Sequence, residues 1–444
     1  MAEPSVPIDK CESFAARRAA FFDSMAAASP SAVAVLPAAP VFVRNGDVEH
    51  EYRQDSDFFY LTGFDEPESV ALFDAQARKT TLFVRPRDPD REVWDGPRAG
   101  VEGAKERYGA DEAFVIADLD EKLPSLLQNH RRVYSRLGKN RRFDDRLLGA
   151  FDRVRGRQRT GVSVPTEVVD PGEILHEMRL RKSPVEVELM RNAARITGEA
   201  HELALRRTRP GMYEYEVEAL LLDTFRRHGS ERPAYGSIVG SGPNACVLHH
   251  RKNDRRMGAG ELLLIDAGCE YGYYASDVTR TFPVGRDFSR EQQAMYELVL
   301  EAQLEAIAMT RPGTTLDEIH KRSVDVITRG LVRFGLLKGE PENLIETEGY
   351  KRFFMHRTSH WLGMDVHDVG MYFVAGKPRP LEPGVVLTVE PGIYIAPGDD
   401  TVGPEWRGIG IRIEDDVLVN ESSSEVLTAG IPKTVDELRA ARAG

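Results

Sequence analysis

Apolar and polar positions follow two different periods along this chain, and the change of period marks its organisation. Over residues 10–170, short apolar runs such as AVAVLPA (32–38), SVALFD (69–74) and TTLFVRP (80–86) alternate with helix-period stretches such as KLPSLLQNH (122–130). Short apolar runs bounded by turn formers read as strands, and their alternation with helices predicts an α/β domain. The stretch GVSVPTEVVDPGE, rich in Pro and Gly, reads as the connection to a second domain, so two are expected, 1–172 and 173–444. At 444 residues the chain is too long for one ordinary core, which agrees with that division.

The second domain opens with a helix whose start is written in the sequence: Ser183 as N-cap, Pro184 at the first helical position and Glu186 closing a capping box. Leu189, Ala193, Ile196, Ala200 and Leu203 then fall on one side at helical spacing, and the helix should run to about Arg207. A second long helix, from about Arg290 with Ser289 and Gln292 as its box, repeats the design. Both end at the same tripeptide, Arg209-Pro210-Gly211 and Arg311-Pro312-Gly313, and each is succeeded by an amphipathic helix closed by a glycine, Gly229 and Gly335. Further on, GELLLID (260–266) resembles GVVLTVE (384–390), each an apolar strand ending in an acid. The pattern predicts two related halves about a pseudo-twofold axis.

Composition narrows the class. The chain is 41% hydrophobic and 29% charged, with no apolar run near the roughly 20 residues a membrane span needs. The Ala-rich stretch from Met25 to Val43 is broken by Pro30, Pro37 and Pro40, and MAEPSVPIDKCE lacks the basic and apolar regions of a leader, so a cytoplasmic location is the default expectation. A net charge of -12 speaks against a nucleic-acid surface, and the basic run from Arg153 to Arg159 lacks the interleaved aromatics that would stack on bases. Cys11, Cys246 and Cys269 are odd in number and far apart, which indicates neither a disulfide framework nor a thiolate zinc site.

Candidate chemistry comes from five residues in fixed order: Asp266 in LLLIDAGCEY, Asp277 in ASDVTRTFPVG, His360 in HRTSHWLGMDVHDVG, Glu390 in VLTVEPGIYI and Glu414 in GIGIRIEDDVLV. A lone acid at a strand end is ordinarily a turn residue. These acids stand in the most apolar strands of the chain, where unpaired carboxylates are costly. A turn containing glycine between Asp266 and Asp277 predicts a hairpin that sets the two side by side. Four converging carboxylates would resist ionisation unless two divalent cations sat between them. Four oxygen donors to one nitrogen favour Mn(II), with Zn(II), Co(II) or iron compatible. His356 and His367 flank His360, and the segment is not H-E-x-x-H. Two ions about 3.5–4 Å apart can share a hydroxide and polarise a carbonyl, which makes amide hydrolysis the expected reaction. A phosphoesterase would also need phosphate-positioning cations, and the sequence offers none that stands out near these motifs.

With these motifs, and with EYRQDSDFFYLTGFDEPES (51–69) similar to the signature of a creatinase-like N-terminal domain, the chain resembles the Xaa-Pro aminopeptidases (aminopeptidase P), pita-bread metallopeptidases related to prolidase. The resemblance covers nearly the whole chain. It implies an α/β creatinase-like domain followed by an α+β pita-bread catalytic domain with internal duplication. It implies that Asp266 chelates one ion, that His360 and Glu390 belong to the other, and that Asp277 and Glu414 bridge both. Glu390 would handle the proton of a bridging hydroxide that attacks the bond, and His367 would meet the scissile carbonyl. His249 and His356 would line the proline side of the cleft, and Arg412 would orient the carboxylates, with Tyr394 and Trp94 as lesser candidates. Arg357 departs from the glycine common in relatives, so the shape and charge of the proline pocket do not carry over from them, while no ligand is touched.

The implied activity is removal of the first residue from peptides with proline second, by a dimer or tetramer that binds neither nucleic acid nor membrane. The nearest rival is a prolidase, which shares every ligand and differs in substrate length. A methionine aminopeptidase usually lacks the large N-terminal domain. A non-catalytic pita-bread binding protein, or a creatinase-like enzyme without metal, would not need the intact set of five.

Overall fold

A computed structural model describes residues 10–443 apart from 286, with side chains over 13–442. The segment MAEPSVPIDKCE, including the Cys11 thiol, lies outside those described side chains. The chain divides after Met178 into two compact units.

The first unit is built on a mixed sheet. Its strands are β1 (Ala32–Pro37), β2 (Val70–Asp74), β3 (Lys79–Val84), β4 (Glu112–Val115), β5 (Arg132–Tyr134) and β6 (Glu167–Val169), in the order β4-β3-β2-β1-β5-β6. β1 runs antiparallel to β2 and parallel to β5. Val33, Val35, Leu72 and Phe83 pack against Leu123 of helix α2 (Leu119–Leu127) and Leu147 of helix α3 (Arg141–Arg155). Helix α1 (Lys10–Ala28) also packs on the sheet, its Phe21 ring edge-on to Phe73 at 5.8 Å. The Ala-rich stretch is therefore the end of that helix followed by β1. Pro30 supplies the break, because the residue before a proline is pushed out of the helical region.

The stretch read as a plain linker is more than that. Glu167–Val169 forms the parallel edge strand β6, with Val168 opposite Val133. Pro165 and Pro171 flank those three residues without interrupting them, and a short edge strand tolerates prolines at its ends.

In the second unit the long helices begin as their boxes dictate. Helix Pro184–Arg207 has Ser183 N held by the Glu186 carboxylate at 2.9 Å, and helix Arg290–Met309 has Ser289 N held by Gln292 at 2.9 Å. The amphipathic helices after them, Glu214–Arg227 and Leu316–Arg333, start at Tyr213 and Thr315, whose N–H groups are met by Glu216 and Glu318. Tyr213 bridges to Arg256 and Thr315 to Pro380, so the duplication extends to the strands that flank the caps.

These helices back the strands that carry the acids. In the first half β7 (Ile238–Ser241), β8 (Leu262–Asp266) and β9 (Thr279–Pro283) form one antiparallel sheet. In the second half β10 (Val386–Val389) pairs with β13 (Asp415–Val419), and β11 (Gly392–Tyr394) with β12 (Gly410–Arg412). Strand alternation then separates chemistry from core. Leu263 and Ile265 join the helix-backed core while Leu264 joins a small cluster with Tyr394, and Ile411 and Ile413 join the core while Arg412 and Glu414 line a cavity. Among the described residues no helix is long and apolar enough to cross a membrane.

Candidate metal centre

Pairing of β8 with β9 places Asp266 opposite Thr279, and the connection carries Asp277 back to the same end. The connection turns at Gly272 and Tyr273, both with positive φ, after a short pairing of Glu270 with Ala275. Gly268 is obligatory there, since a Cβ would collide with the Ser276 carbonyl oxygen. From the second half, Glu390 comes just after β10 and Glu414 stands between β12 and β13, where its N–H donates to Thr279 O at 3.1 Å. Nine of the residues singled out from the sequence, Asp266, Asp277, His360, Glu390, Glu414, His249, His356, His367 and Arg412, line one cavity of about 900 Å³. Tyr394 bonds two of them, His356 Nε2 at 2.9 Å and Arg412 at 2.7 Å. Trp94 belongs to the first unit, where it is 84% exposed.

The donor atoms are arranged for cations. Ligand atoms of Asp277, His360 and Glu414 all lie within 4.8 Å of one another. His360 Nδ1 faces the Trp361 carbonyl at 3.0 Å, which fixes Nε2 toward Asp277 Oδ2 and Glu390 Oε1, each 3.5 Å away. Burial would push His360 down, but the hydrogen bond to Asp277 and the charge of Glu390 lift it to about 9. Burial raises Glu390 to about 7, opposed by His360 and Arg412. Burial, with Asp277 and the other acids, drives Glu414 well above the carboxylate range, and Asp266 is also raised by burial despite Arg412. Carboxyls that burial and mutual repulsion keep from ionising together are the donor set that divalent cations would neutralise. The residues present therefore fit divalent cations.

A second ring of side chains holds the acids in place. Arg412, 3% exposed, donates to Asp266 Oδ2 at 2.6 Å and through Nε to Thr279 Oγ1 at 3.0 Å, while Thr279 donates to Glu414 Oε2 at 2.6 Å. Asp416 accepts from Ser276 Oγ at 2.7 Å and from Asp277 N at 3.1 Å. Behind it, Asp415 is saturated by Arg280, Gln303 and Thr428, and by Lys433 at 2.6 Å. Asp368 pairs with Arg179 at 2.7 Å and Lys182 at 3.0 Å, anchoring the loop that carries His367. Glu214, fully buried, accepts from Ser241 N, Ser241 Oγ, Asn244 Nδ2 and Arg255 N at 2.7 to 3.0 Å and meets His250 Nε2 at 3.1 Å, which ties down the loop bearing His249.

Tyr235 is the residue sequence reasoning missed. Its hydroxyl lies 2.6 Å from Asp266 Oδ1 and also against Asp277 Oδ1. Burial beside those carboxylates keeps the phenol protonated. One proton cannot satisfy two carboxylates at once, so the pair retains acceptor capacity on its cavity side. The one available signal was an aromatic residue beside a glycine, ahead of a short apolar strand, in AYGSIVG. A second correction concerns cations. Arg251 and Arg357 line the same cavity, so the lack of nearby positive groups no longer excludes a phosphoesterase.

Comparison with known proteins decides the reaction class. Residues 188–421 match the model of metallopeptidase family M24, and residues 14–134 match that of the aminopeptidase P N-terminal domain. The chain is 43% identical to the Xaa-Pro aminopeptidase of Escherichia coli, covering 97% of each, and 42% identical to that of Haemophilus influenzae, covering 96% of each. Among solved structures, an aminopeptidase of Pseudomonas aeruginosa superposes with a TM-score of 0.95 at 53% identity, covering 99% of this chain and 98% of that one. E. coli aminopeptidase P in complex with substrate gives 0.94 at 42%, covering 97% and 98%. The fold is thus the pita-bread fold of those enzymes preceded by their N-terminal domain. The chain belongs to metallopeptidase family M24, in the branch that carries the aminopeptidase P N-terminal domain.

Proposed function

We propose that the protein is a dinuclear-metal aminopeptidase that hydrolyses the bond between the first residue of a peptide and a proline in second position. The observation that carries this reading is the convergence of four carboxylates and His360, drawn from both halves, on one cavity with three further histidines. Asp266, Asp277, His360, Glu390 and Glu414 would hold two divalent ions, with Mn(II) favoured by the oxygen-rich donor set and Zn(II) or Co(II) accommodated. When bound, the ions would supply a water acidic enough to attack at neutral pH and a Lewis acid for the carbonyl.

The side chains supply the rest. Glu390 is the acid with the most open side chain, 17% exposed against 12% for Asp266 and 8% for Asp277, so it is the group placed to take a proton and pass it on. His367 stands on the exposed side, its ring 4.3 Å from that of His360, and burial with the His360 charge keeps it below its usual range. A neutral imidazole there donates one N–H to the oxygen of the reacting carbonyl. His356, pushed to about 3 by burial and Arg412, is neutral too, and with His249 it walls the side where proline would sit. An Xaa-Pro bond has no N–H for a protease to grip, so recognition by the free amine and by the shape of the proline ring suits this substrate.

The relatives named above are Xaa-Pro aminopeptidases, and their activity is the basis for the substrate assigned here. A domain division at 172/173, a dimeric or tetrameric assembly and a cytoplasmic location complete the proposal. The test is hydrolysis of an Xaa-Pro dipeptide against an Xaa-Pro-Xaa tripeptide by the Mn(II)-loaded protein, alongside metal analysis. Cleavage confined to the dipeptide identifies a prolidase. Fewer than about one ion per chain without activation by Mn(II) identifies a non-catalytic binding protein.

A further inference from the structure

The loop after His249 is crowded with cations, and all but one have found partners. His250 meets Glu214 at 3.1 Å, Lys252 pairs with Asp254 at 2.6 Å, Arg255 pairs with Glu261 at 2.5 Å, and Arg256 donates to Gly211 O at 3.0 Å. Arg251 alone in that run has no hydrogen bond or ion pair to a described residue, and it lines the cavity, exposed, with its stem 3.9 Å from the position of a Cβ on Gly236. Arg357 lines the same cavity, with its side chain 59% exposed and held by Asp317 at 2.7 Å. The cavity is therefore graded, from a buried floor of acids to exposed guanidinium groups.

A guanidinium left unpaired beside a substrate cavity, with every local acid already taken, is a carboxylate receptor. Resting on the aminopeptidase reading, in which the free amine sits at the acidic floor, we propose that Arg251, assisted by Arg357, binds a carboxylate on the third residue of the substrate. Length supports this: three extended residues reach about 10 Å, and a cavity of about 900 Å³ is about 12 Å across if equidimensional, so a third-residue carboxylate falls near the far side. A dipeptide carboxylate stops about one residue, roughly 3 Å, short of that. Arg357 shares its charge with Asp317, which leaves Arg251 the dominant contact.

The experiment compares Ala-Pro-Ala as free acid, Ala-Pro-Ala-amide and Ala-Pro-Asp-amide with the full-length Mn(II)-loaded protein. The free acid should exceed the plain amide in kcat/KM by about five- to tenfold, mostly through KM, and the gap should shrink as salt is raised. Ala-Pro-Asp-amide matching the free acid assigns the site to either carboxylate, and matching the plain amide assigns it to the chain terminus. Arg251→Gln should bring the acid-to-amide ratio close to one, Arg251→Lys should keep part of it, and Arg357→Gln should lower it less. Equal rates for all three peptides in the wild-type protein, or an unchanged ratio in Arg251→Gln, would overturn the proposal. Failure to cleave any of them would overturn the aminopeptidase reading first, and this inference with it.

Discussion

Replacing Thr279 with valine removes one hydroxyl and leaves the shape of a β-branched strand residue intact, so its effect isolates a single contact. That hydroxyl is fully buried, accepts from Arg412 Nε at 3.0 Å and donates to Glu414 Oε2 at 2.6 Å. Arg412 keeps its bonds to Asp266 and Tyr394, so the larger loss falls on Glu414, whose carboxylate gives up a buried donor. A hydrogen bond to a charged group contributes about 1.5–3 kcal/mol, and loss of a group that orients a metal ligand typically weakens binding about 10- to 100-fold, roughly 1.4–2.7 kcal/mol. The two magnitudes agree, so Thr279→Val should weaken at least one Mn(II) step by about 10- to 100-fold. Calorimetric titration of the metal-depleted protein measures that step, and hydrolysis of an Xaa-Pro-Xaa peptide in excess Mn(II) should recover most of the rate. Thr279→Ser, which restores the hydroxyl, should restore affinity. Affinity within twofold of wild type in Thr279→Val would show that Glu414 is not held through this contact, and the positioning argument would fail.

Glu390→Ala should lower kcat/KM by about 10²- to 10⁴-fold in saturating Mn(II) with the thermal midpoint little changed, and near wild-type turnover would contradict its role in proton transfer. Glu214→Ala leaves buried donors on Ser241, Asn244 and Arg255 unmatched, so urea unfolding should show a loss of about 3 kcal/mol or more. His201 is buried against Ala267 O, and burial lowers it from 6.5 to about 4, so below pH 6.5 the unfolded chain binds a proton that the folded one refuses. Stability should therefore fall as pH drops from about 6.5 to 4, by up to about 3 kcal/mol from this group, and His201→Gln should flatten that part of the acid slope in urea titrations.

The acids of the centre are readable because each stands at or within two residues of the end of a buried strand, a place where a carboxylate demands an explanation. Capping boxes at Ser183 and Ser289 define both helix starts to the residue, since the motif is local and self-contained. The features that stay hidden depend on contacts across the chain. Tyr235 reaches acids 31 and 42 residues away, and no local pattern announces that an aromatic hydroxyl will point at them. Asp415 and Asp416 look like continuations of Glu414, yet strand alternation and Arg280 turn them to different partners. β6 reads as a linker because its prolines outweigh three residues whose pairing partner lies 35 positions earlier. Arg251 and Arg357 are ordinary surface charges until folding sets both on one cavity.

The halves deliver their acids at very different times during synthesis. Asp266 and the arginine that grips it are 146 residues apart, an interval a ribosome crosses in about 7 to 30 s. Throughout it the nascent first half carries Asp266 without Arg412 or Glu414 to complete its surroundings. If the four acids hold cations as proposed, loading would be a late event in the life of each molecule, waiting on the second half, and a chain stalled between the two would be an incompetent scavenger of metal.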